Sequence, residues 1–591
     1  MVMRCSIVDG AALQLSASSG IELRVADGIR RSGSVFRLDL GYKQMTQDVH
    51  LSTRSRELAL ALLMILIFST SVRGDDSFPI VKQKTNHIDS HELLTVSASQ
   101  DWGELQCRNG FLHGLDVDNS LCDSLVGLLR PRFWRGYKLE TYSEAASNDA
   151  IITFGPSNHY AWWKGGWKNA KPWLDWDEYE SYLLSVIQAI DYYFPEHPPD
   201  YYDIWNEPDH TYFWKGTYEQ LVETFARSIN VIKSYRPNAK VVGPSISWYR
   251  PDGYGEENII DLLIDLDTLY GLRLDAISWH ENGGIPDYGP GRPEDIYFDE
   301  ASIRTEVETY FPPEYDPEYH INEYTGGRVH LSPGWTMAYL FWLDYVRIDF
   351  ASRACWGILS PDFEYYSDCW AGLDGLFLED GVTQQPIYWV HRAYAEMDGK
   401  TQLPIWTTNA NVLMIAARDD DTETLRVLAG RYYDSTSTSV MLEIQEYPYN
   451  HDFVQVSLSH IPSFGQFHWD PPVAMPWPHG PNDNGTLILP VSDSQITVVL
   501  DDFPAGDVYI VDFSSYTPCG DCDMSGTIDI DDVVYLVVYI FTGGPEPAFY
   551  CSGDVDCSST VDIDDVVWLI TFIFSGGSIP CDTDGDGERD C

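Results

Sequence analysis

The sequence predicts a (β/α)8 TIM barrel joined to an all-β sandwich and a small calcium-binding loop-helix repeat. Three observations carry that prediction. From Gly110 to Gly399, short apolar runs alternate with helical patterns, the order of a parallel sheet closed by helices. From 401 to 513 the helical period disappears and β-type runs follow one another. Beyond 519, a 33-residue repeat places acidic loops before apolar helices.

The elements before the barrel read as export machinery. Residues 58–68 form an apolar run preceded by Arg54 and Arg56 and followed by Ser69, Thr70 and Ser71, the pattern of a signal peptide. The run falls short of the roughly 20 apolar residues needed to span a bilayer, so no permanent membrane anchor is expected. Signal peptides begin close to the initiator, yet 57 residues precede this one and Met45 stands at a normal distance. Met45 is therefore the expected start, within a 1–74 extension and signal segment. Loss of that segment removes Cys5 and leaves ten cysteines, an even number in a chain bound for an oxidising compartment. Cys107 with Cys122, and Cys355 with Cys369, are candidate pairs.

The barrel, with its lead-in, spans 75–400. Its strands are expected at Phe111–Leu115, Pro131–Gly136, Ala150–Gly155, Tyr202–Asn206, Val241–Ser245, Ala276–Trp279, Tyr319–Asn322 and Ala354–Ile358. Segments Trp176–Tyr193, Tyr218–Tyr235, Ile259–Tyr270 and Trp335–Phe350 carry helical spacing between them. Barrel active sites lie at the carboxyl ends of the strands. There Trp205-Asn206-Glu207-Pro208 ends strand 4 and Glu323 closes strand 7 after Tyr319-His320-Ile321-Asn322. Two carboxyl groups flanking a bond are what glycoside hydrolysis requires.

The ordered set Trp205-Asn206-Glu207-Pro208, Val242-Gly243-Pro244-Ser245, Ile277-Ser278-Trp279-His280 and Ile321-Asn322-Glu323-Tyr324 resembles the clan-A glycoside hydrolases, and within them family 39, the β-xylosidases and α-L-iduronidases. The resemblance covers roughly 110–400, and the segment to about 513 suits the β-sandwich that accompanies such barrels. It implies a retaining mechanism with Glu207 as acid/base and Glu323 as nucleophile. The chemistry of the residues agrees: the acid must hold a proton near neutrality while its partner is ionised. Trp205 and Pro208 are placed to desolvate Glu207, Asn206 to donate to a sugar 2-hydroxyl, and His280 to donate to Glu323. Glu281, next to His280, is the rival nucleophile. Where the family's xylosidases commonly carry an aromatic two places after the histidine, Asn282-Gly283-Gly284 stands here.

After strand 3 come Trp162, Trp163, Trp167, Trp173 and Trp176. Indoles stack on the apolar faces of sugars, and they also fill cores. Trp162, Trp163 and Trp167 are taken as substrate-binding candidates, with Trp356 as the floor of the site; each has barrel packing as its plain alternative.

The sandwich, 401–513, is read from Val412–Ala417, Leu425–Ala429, Val440–Ile444, Phe453–Leu458, Thr486–Leu489, Ile496–Leu500 and Val508–Val511. It has a packing role. In the 519–580 module, Asp521, Asp523, Ser525, Asp529 and Asp532 recur as Asp554, Asp556, Ser558, Asp562 and Asp565, with the carbonyls of Thr527 and Thr560 at loop position 7. This is EF-hand-like calcium spacing, and each loop runs into an apolar helix, Val533–Phe541 or Val566–Phe574. The unit resembles a dockerin, which implies a cohesin-like protein partner; a folded appendage without a partner is the plainer reading. Ser559 stands where the first loop has Gly526. The tail, 581–591, looks like a partial third loop. Cys519, Cys522, Cys551, Cys557, Cys581 and Cys591 are expected to staple this acidic region, whose own core is small.

Composition bounds the partners. The formal charge of -53, from 90 acidic and 37 basic residues, excludes nucleic acid and anionic membrane surfaces as partners. Residues 519–591 hold 16 acidic side chains and one basic one, Arg589, which favours cation binding there. The expectation is a secreted, extracellular or cell-surface, retaining glycosidase, exo-acting on glycosides derived from plant or microbial polysaccharide. It would carry structural Ca2+ in its C-terminal module and no cofactor for catalysis. The alternatives are a catalytically inactive carbohydrate-binding barrel and a calcium-dependent surface assembly protein.

Overall fold

The structure is a computed structural model. It describes residues 92–581 except 116–119, 137, 248, 250–258, 283–291, 326–328, 356–357, 360–364, 368, 379, 433–437, 452, 465–473, 477–479, 517–518 and 548–549, together with three N-terminal strands. Two compact units are present, 1–78 and 79–591. In the first, Met3–Val8, Ala12–Ala17 and Glu22–Arg24 pair antiparallel. The expected signal segment and Met45 lie outside the described residues, as do Trp356, Cys591 and the expected third calcium loop.

The second unit contains a closed barrel of eight parallel strands. They are β1 (Gly110–Phe111), β2 (Phe133–Gly136), β3 (Ile151–Phe154), β4 (Tyr201–Asp203), β5 (Lys240–Ile246), β6 (Ala276–Asn282), β7 (Glu318–Thr325) and β8 (Phe350–Arg353). Each pairs with its sequence neighbour, and β8 pairs with β1 to close the ring. Closure is tight at β1: a Cβ on Gly110 would stand 2.0 Å from the Ala351 carbonyl oxygen, so only glycine lets β1 meet β8. Strand 8 corrects the sequence reading, which placed it at Ala354–Ile358. Phe350–Arg353 pairs instead, and the helix expected to run through Phe350 ends at Tyr345.

Helices on the outside follow their apolar spacing. Trp176–Tyr193 begins at Asp175, whose carboxylate accepts the Glu178 amide at 3.0 Å, and it buries Tyr179, Leu183, Ile187 and Ile190 at spacings of three and four. Tyr218–Tyr235 opens with a reciprocal capping box between Thr217 and Gln220. Caps of this kind are worth about 1 kcal/mol each. The reading of Ile259–Tyr270 holds, as an α-helix to Asp265 that continues in a π turn.

The floor of the barrel is aromatic. Phe133, Tyr201, Val242, Ala276 and Phe350 cluster there, with the His320 ring edge-on to Phe133, Tyr201 and Phe350. Two residues on from Phe133, Tyr201 and Ala276, toward the strand ends, stand the polar Arg135, Asp203 and Ser278, which belong to the site described below.

The sandwich comprises a six-stranded sheet and a four-stranded sheet. All seven strands expected from the sequence are present. The lead-in segment supplies one more: Glu92–Ser97 pairs parallel with Thr438–Gln445 and antiparallel with Ile405–Thr407. Barrel and sandwich share one continuous apolar core. At their seam Gly334 donates to the Gly506 carbonyl at 2.6 Å, and a Cβ there would stand 2.2 Å from the Arg431 oxygen.

Cys355–Cys369 forms the expected disulfide; among the cysteines expected to staple the C-terminal region, Cys557 pairs with Cys581 and Cys519 is also disulfide-bonded. Two cysteine expectations fail. Cys107 is a free buried thiol, not a partner of Cys122; burial pushes it up to about 12, so it packs as an apolar group. Cys522 is free as well, because it sits inside the module's core with Val533, Leu536, Val566 and Leu569.

Candidate active site

Period-two alternation turns Arg135 on β2, Asp203 on β4 and Ser278 and His280 on β6 toward the barrel axis, above the aromatic floor. A charge on such a strand has no water to turn to and must be paired. Arg135 donates from Nε to Asp203 Oδ2 at 2.8 Å, from Nη2 to the same oxygen at 2.5 Å and to Asn206 Oδ1 at 2.7 Å, and from Nη1 to Glu323 Oε1 at 2.6 Å. Burial opposes its charge, but Asp203 and Glu323 outweigh burial and hold its pKa above the ordinary arginine value. Asp203 accepts further from Ser245 Oγ at 2.7 Å and from Asn322 Nδ2 at 3.2 Å; Ser245 Oγ also meets Ser278 Oγ at 2.8 Å.

Glu323 reaches this cage through a register shift. Along β6 and β7, Trp279 pairs with Ile321, but His280 pairs with Glu323. Strict alternation would turn Glu323 outward if Asn322 turned in. The bulge at Asn322 lets both face the axis.

Glu207 lies just past β4 with a φ of 44°, a left-handed conformation uncommon for a residue with a Cβ, and its amide donates to the Ser245 carbonyl at 2.9 Å. Trp205 beneath it is fully buried among Trp167 and Trp214, with ring centroids at 5.8 and 5.1 Å. Burial, helped by the nearby charge of Asp209, raises Glu207 to about 7, against the lowering influence of Arg135 and His210. Its carboxyl group thus keeps its proton to near neutrality.

His280 lies between the two glutamates. Its Nδ1 is 2.9 Å from Glu207 Oε1 and 3.4 Å from Glu323 Oε2, so it stands closer to Glu207 than to Glu323, the partner the sequence reading gave it. Burial lowers it to about 4, leaving a neutral imidazole. One oxygen of each glutamate and a nitrogen of His280 all lie within 4.8 Å of one another. Asn282 Nδ2 donates to Glu323 Oε2 at 3.2 Å. Asn206, committed through Oδ1 to Arg135, keeps its amide nitrogen for another acceptor.

Glu281 turns the other way. It accepts from Trp279 Nε1 at 2.7 Å and hydrogen-bonds Asp299 on the helix Asp295–Tyr310, outside the barrel. Burial holds it well above the carboxylate range and Asp299 at about 7, so the pair shares a proton.

The tryptophans divide. Trp167 packs edge-on to Trp205 and Phe213, and Trp173 to Trp214, as supports for the strand 4 turn. Trp162 and Trp163 are half exposed on the helix Pro156–Trp163; Trp163 stacks on Tyr182 with Lys164 above it. Their contacts lie outside the carboxylate cage. Sequence reasoning missed Arg135, Asp203, Ser245, Asn282 and Asn322. An arginine inside the apolar run Phe133-Trp134-Arg135-Gly136 was the available signal.

In the C-terminal module the expected loops close on themselves. Asp521 accepts the amides of Ser525 and Gly526, and Asp532 those of Cys522, Asp523 and Asp529. Asp554, Asp556 and Asp565 repeat the pattern, with Ser559 at φ 70° in the place of Gly526. Oxygens of Asp521, Asp523 and Asp532 lie within 4.8 Å of one another, as do those of Asp554, Asp556 and Asp565. Asp554 Oδ1 is buried without a hydrogen-bond partner among the described residues. An all-oxygen set with an orphaned carboxylate oxygen fits a hard cation such as Ca2+.

No family model matches the sequence, and no curated protein matches it. Solved structures do. The chain is similar to N2152 from Neocallimastix frontalis (18% identity, TM-score 0.57, 72% of this chain and 100% of that one). It is similar to a glucosidase from Croceicoccus marinus (16%, 0.52, 72% and 99%) and to a monomeric β-xylosidase from Caulobacter crescentus CB15 (14%, 0.50, 72% and 100%). At these identities the likeness establishes the fold.

Proposed function

We propose that the chain is a retaining glycoside hydrolase, with Glu207 as acid/base and Glu323 as nucleophile. The observation that carries this is the pairing of the two carboxyl groups: oxygens within 4.8 Å, one glutamate raised to about 7 and the other clasped by Arg135. A separation of about 5–5.5 Å suits direct attack on the anomeric carbon, whereas inversion needs roughly 6.5–9.5 Å to admit a water. Glu207 gives its proton to the leaving oxygen as Glu323 attacks; Glu207 then takes a proton from the water that frees the sugar. Two of the structures sharing the fold are a glucosidase and a β-xylosidase, in line with the family 39 resemblance.

Within this reading the Asn206 amide nitrogen faces a sugar hydroxyl, and the half-exposed Trp162 offers a stacking face, whereas the Trp163 ring is taken up by Tyr182 and Lys164. The enzyme is secreted and exo-acting. Its C-terminal module takes up Ca2+ through Asp521, Asp523, Asp532 and their counterparts, and presents Val534, Phe541, Val567 and Phe574, all exposed, to a cohesin-like protein. A panel of aryl xylosides, glucosides, galactosides, arabinosides and uronides tests the activity. Proton NMR of the first-formed anomer tests retention, and an inverted anomer would overturn the assignment of roles.

A further inference from the structure

Asn282 sits at the carboxyl end of β6 and donates its amide nitrogen to Glu323 Oε2 at 3.2 Å. A carboxylate only accepts, so this contact decides which end of the amide faces it. The other end is left in deficit: Asn282 Oδ1 is out of contact with solvent and meets no donor among the described residues. An amide with nothing to hold it would turn its oxygen toward a donor, because a bare buried acceptor is costly. The donor to Glu323 outweighs that cost. Glu323 is consequently held at both oxygens, Oε1 by Arg135 from β2 and Oε2 by Asn282 from β6.

We propose that Asn282 is a catalytic residue whose N–H stabilises the carboxylate form of Glu323, an inference that rests on the glycosidase reading above. In the first step an electron pair of Glu323 forms the bond to the anomeric carbon. The bond to the leaving oxygen breaks, and that oxygen takes the Glu207 proton. The charge Asn282 faced is now spent in an ester, and its hydrogen bond weakens. In the second step water attacks the anomeric carbon and its proton goes to Glu207. The ester C–O bond breaks, and its electron pair returns to Glu323, where Asn282 and Arg135 receive it. A donor on the departing carboxylate therefore favours release of the sugar.

Asn282→Asp keeps the shape and replaces the donor with a second carboxyl group; Asn282→Ala removes the donor alone. Both are assayed with whichever 4-nitrophenyl glycoside of the panel the wild type turns over fastest. Asn282→Ala is expected to lose about 10- to 100-fold in kcat with KM changed less than about threefold, the size of one charge-assisted hydrogen bond. The acidic limb of kcat/KM should move to higher pH in both variants, and further in Asn282→Asp, since losing a donor disfavours the charged form of the carboxyl group. A purely structural asparagine would leave that limb in place. An active wild type together with an Asn282→Asp variant of unchanged acidic limb and kcat overturns the role of Asn282 and leaves the glycosidase reading standing. A wild type inert toward the whole panel overturns the glycosidase reading itself, and this role with it.

Discussion

Replacing Arg135 with leucine should damage stability and catalysis together. Arg135 is 5% exposed and its guanidinium neutralises Asp203 and Glu323, both buried, so its loss leaves two carboxylates facing each other in a dry barrel. Removing one partner of a buried ion pair costs about 3–5 kcal/mol. Asp203 keeps Ser245 and Asn322 as donors and Glu323 keeps Asn282, which favours the lower end, about 3 kcal/mol. For a unit of several hundred residues, that lowers Tm by about 3–6 °C. The hydrogen bond lost from Glu323 is charged at both ends and is worth about 1.5–3 kcal/mol, or about 10- to 150-fold in kcat/KM. Arg135→Lys keeps the charge but cannot reach Asp203, Asn206 and Glu323 at once, so it should fall between. Differential scanning calorimetry and steady-state kinetics on an aryl glycoside read both effects. An Arg135→Leu variant with the parental Tm and kcat/KM within twofold of the parent would refute the claim that this cage holds the nucleophile.

On the proposed mechanism the acid form of Glu207 works in the first step, so kcat/KM should fall as pH rises through about 7. Asp209→Asn removes a charge that raises Glu207, and the basic limb should shift to lower pH; a limb that stays fixed would mean that Asp209 does not act on the acid. Glu323→Ala should abolish turnover and recover part of it with azide, whereas Glu281→Gln, remote from the cleft, should stay within about threefold of the parent. The reverse pattern would transfer the nucleophile to Glu281. Chelation should make residues 519–580 protease-sensitive, because the clustered carboxylates repel one another without a cation, while hydrolysis of a small aryl glycoside persists. Loss of hydrolysis restored by calcium would show that a cation also supports the barrel.

The glutamates were legible because each ends an apolar strand, where a carboxyl group has no packing role. Glu323 faces the axis only through the bulge at Asn322, and nothing in the sequence announces a bulge. Arg135 escaped notice because Asp203, Asn206 and Glu323 lie 68, 71 and 188 residues away, so its strand reads as apolar with one stray charge. Strand 8 was misplaced for a related reason. Ser352 and Arg353 break its apolar pattern, yet Ser352 donates to the Asn322 carbonyl at 2.5 Å and Arg353 is buried, donating to the Asp374 carbonyl at 3.2 Å. Glu92–Ser97 read as a lead-in since its parallel partner, Thr438–Gln445, is far along the chain. The acidic loops of the C-terminal repeat were clear, because their carboxylates lie within a dozen residues and need no tertiary context. Cysteine pairing had no such local rule, and Cys107 and Cys522 became core residues.

The covalent intermediate tests the central claim most directly. Incubation with an activated 2-deoxy-2-fluoro glycoside of the preferred sugar should inactivate the enzyme in a time-dependent manner, and peptide mass spectrometry should place a single sugar on the peptide that carries Glu323. A label on Glu281, or complete turnover of the parent substrate with inversion and no labelled peptide, would contradict the account.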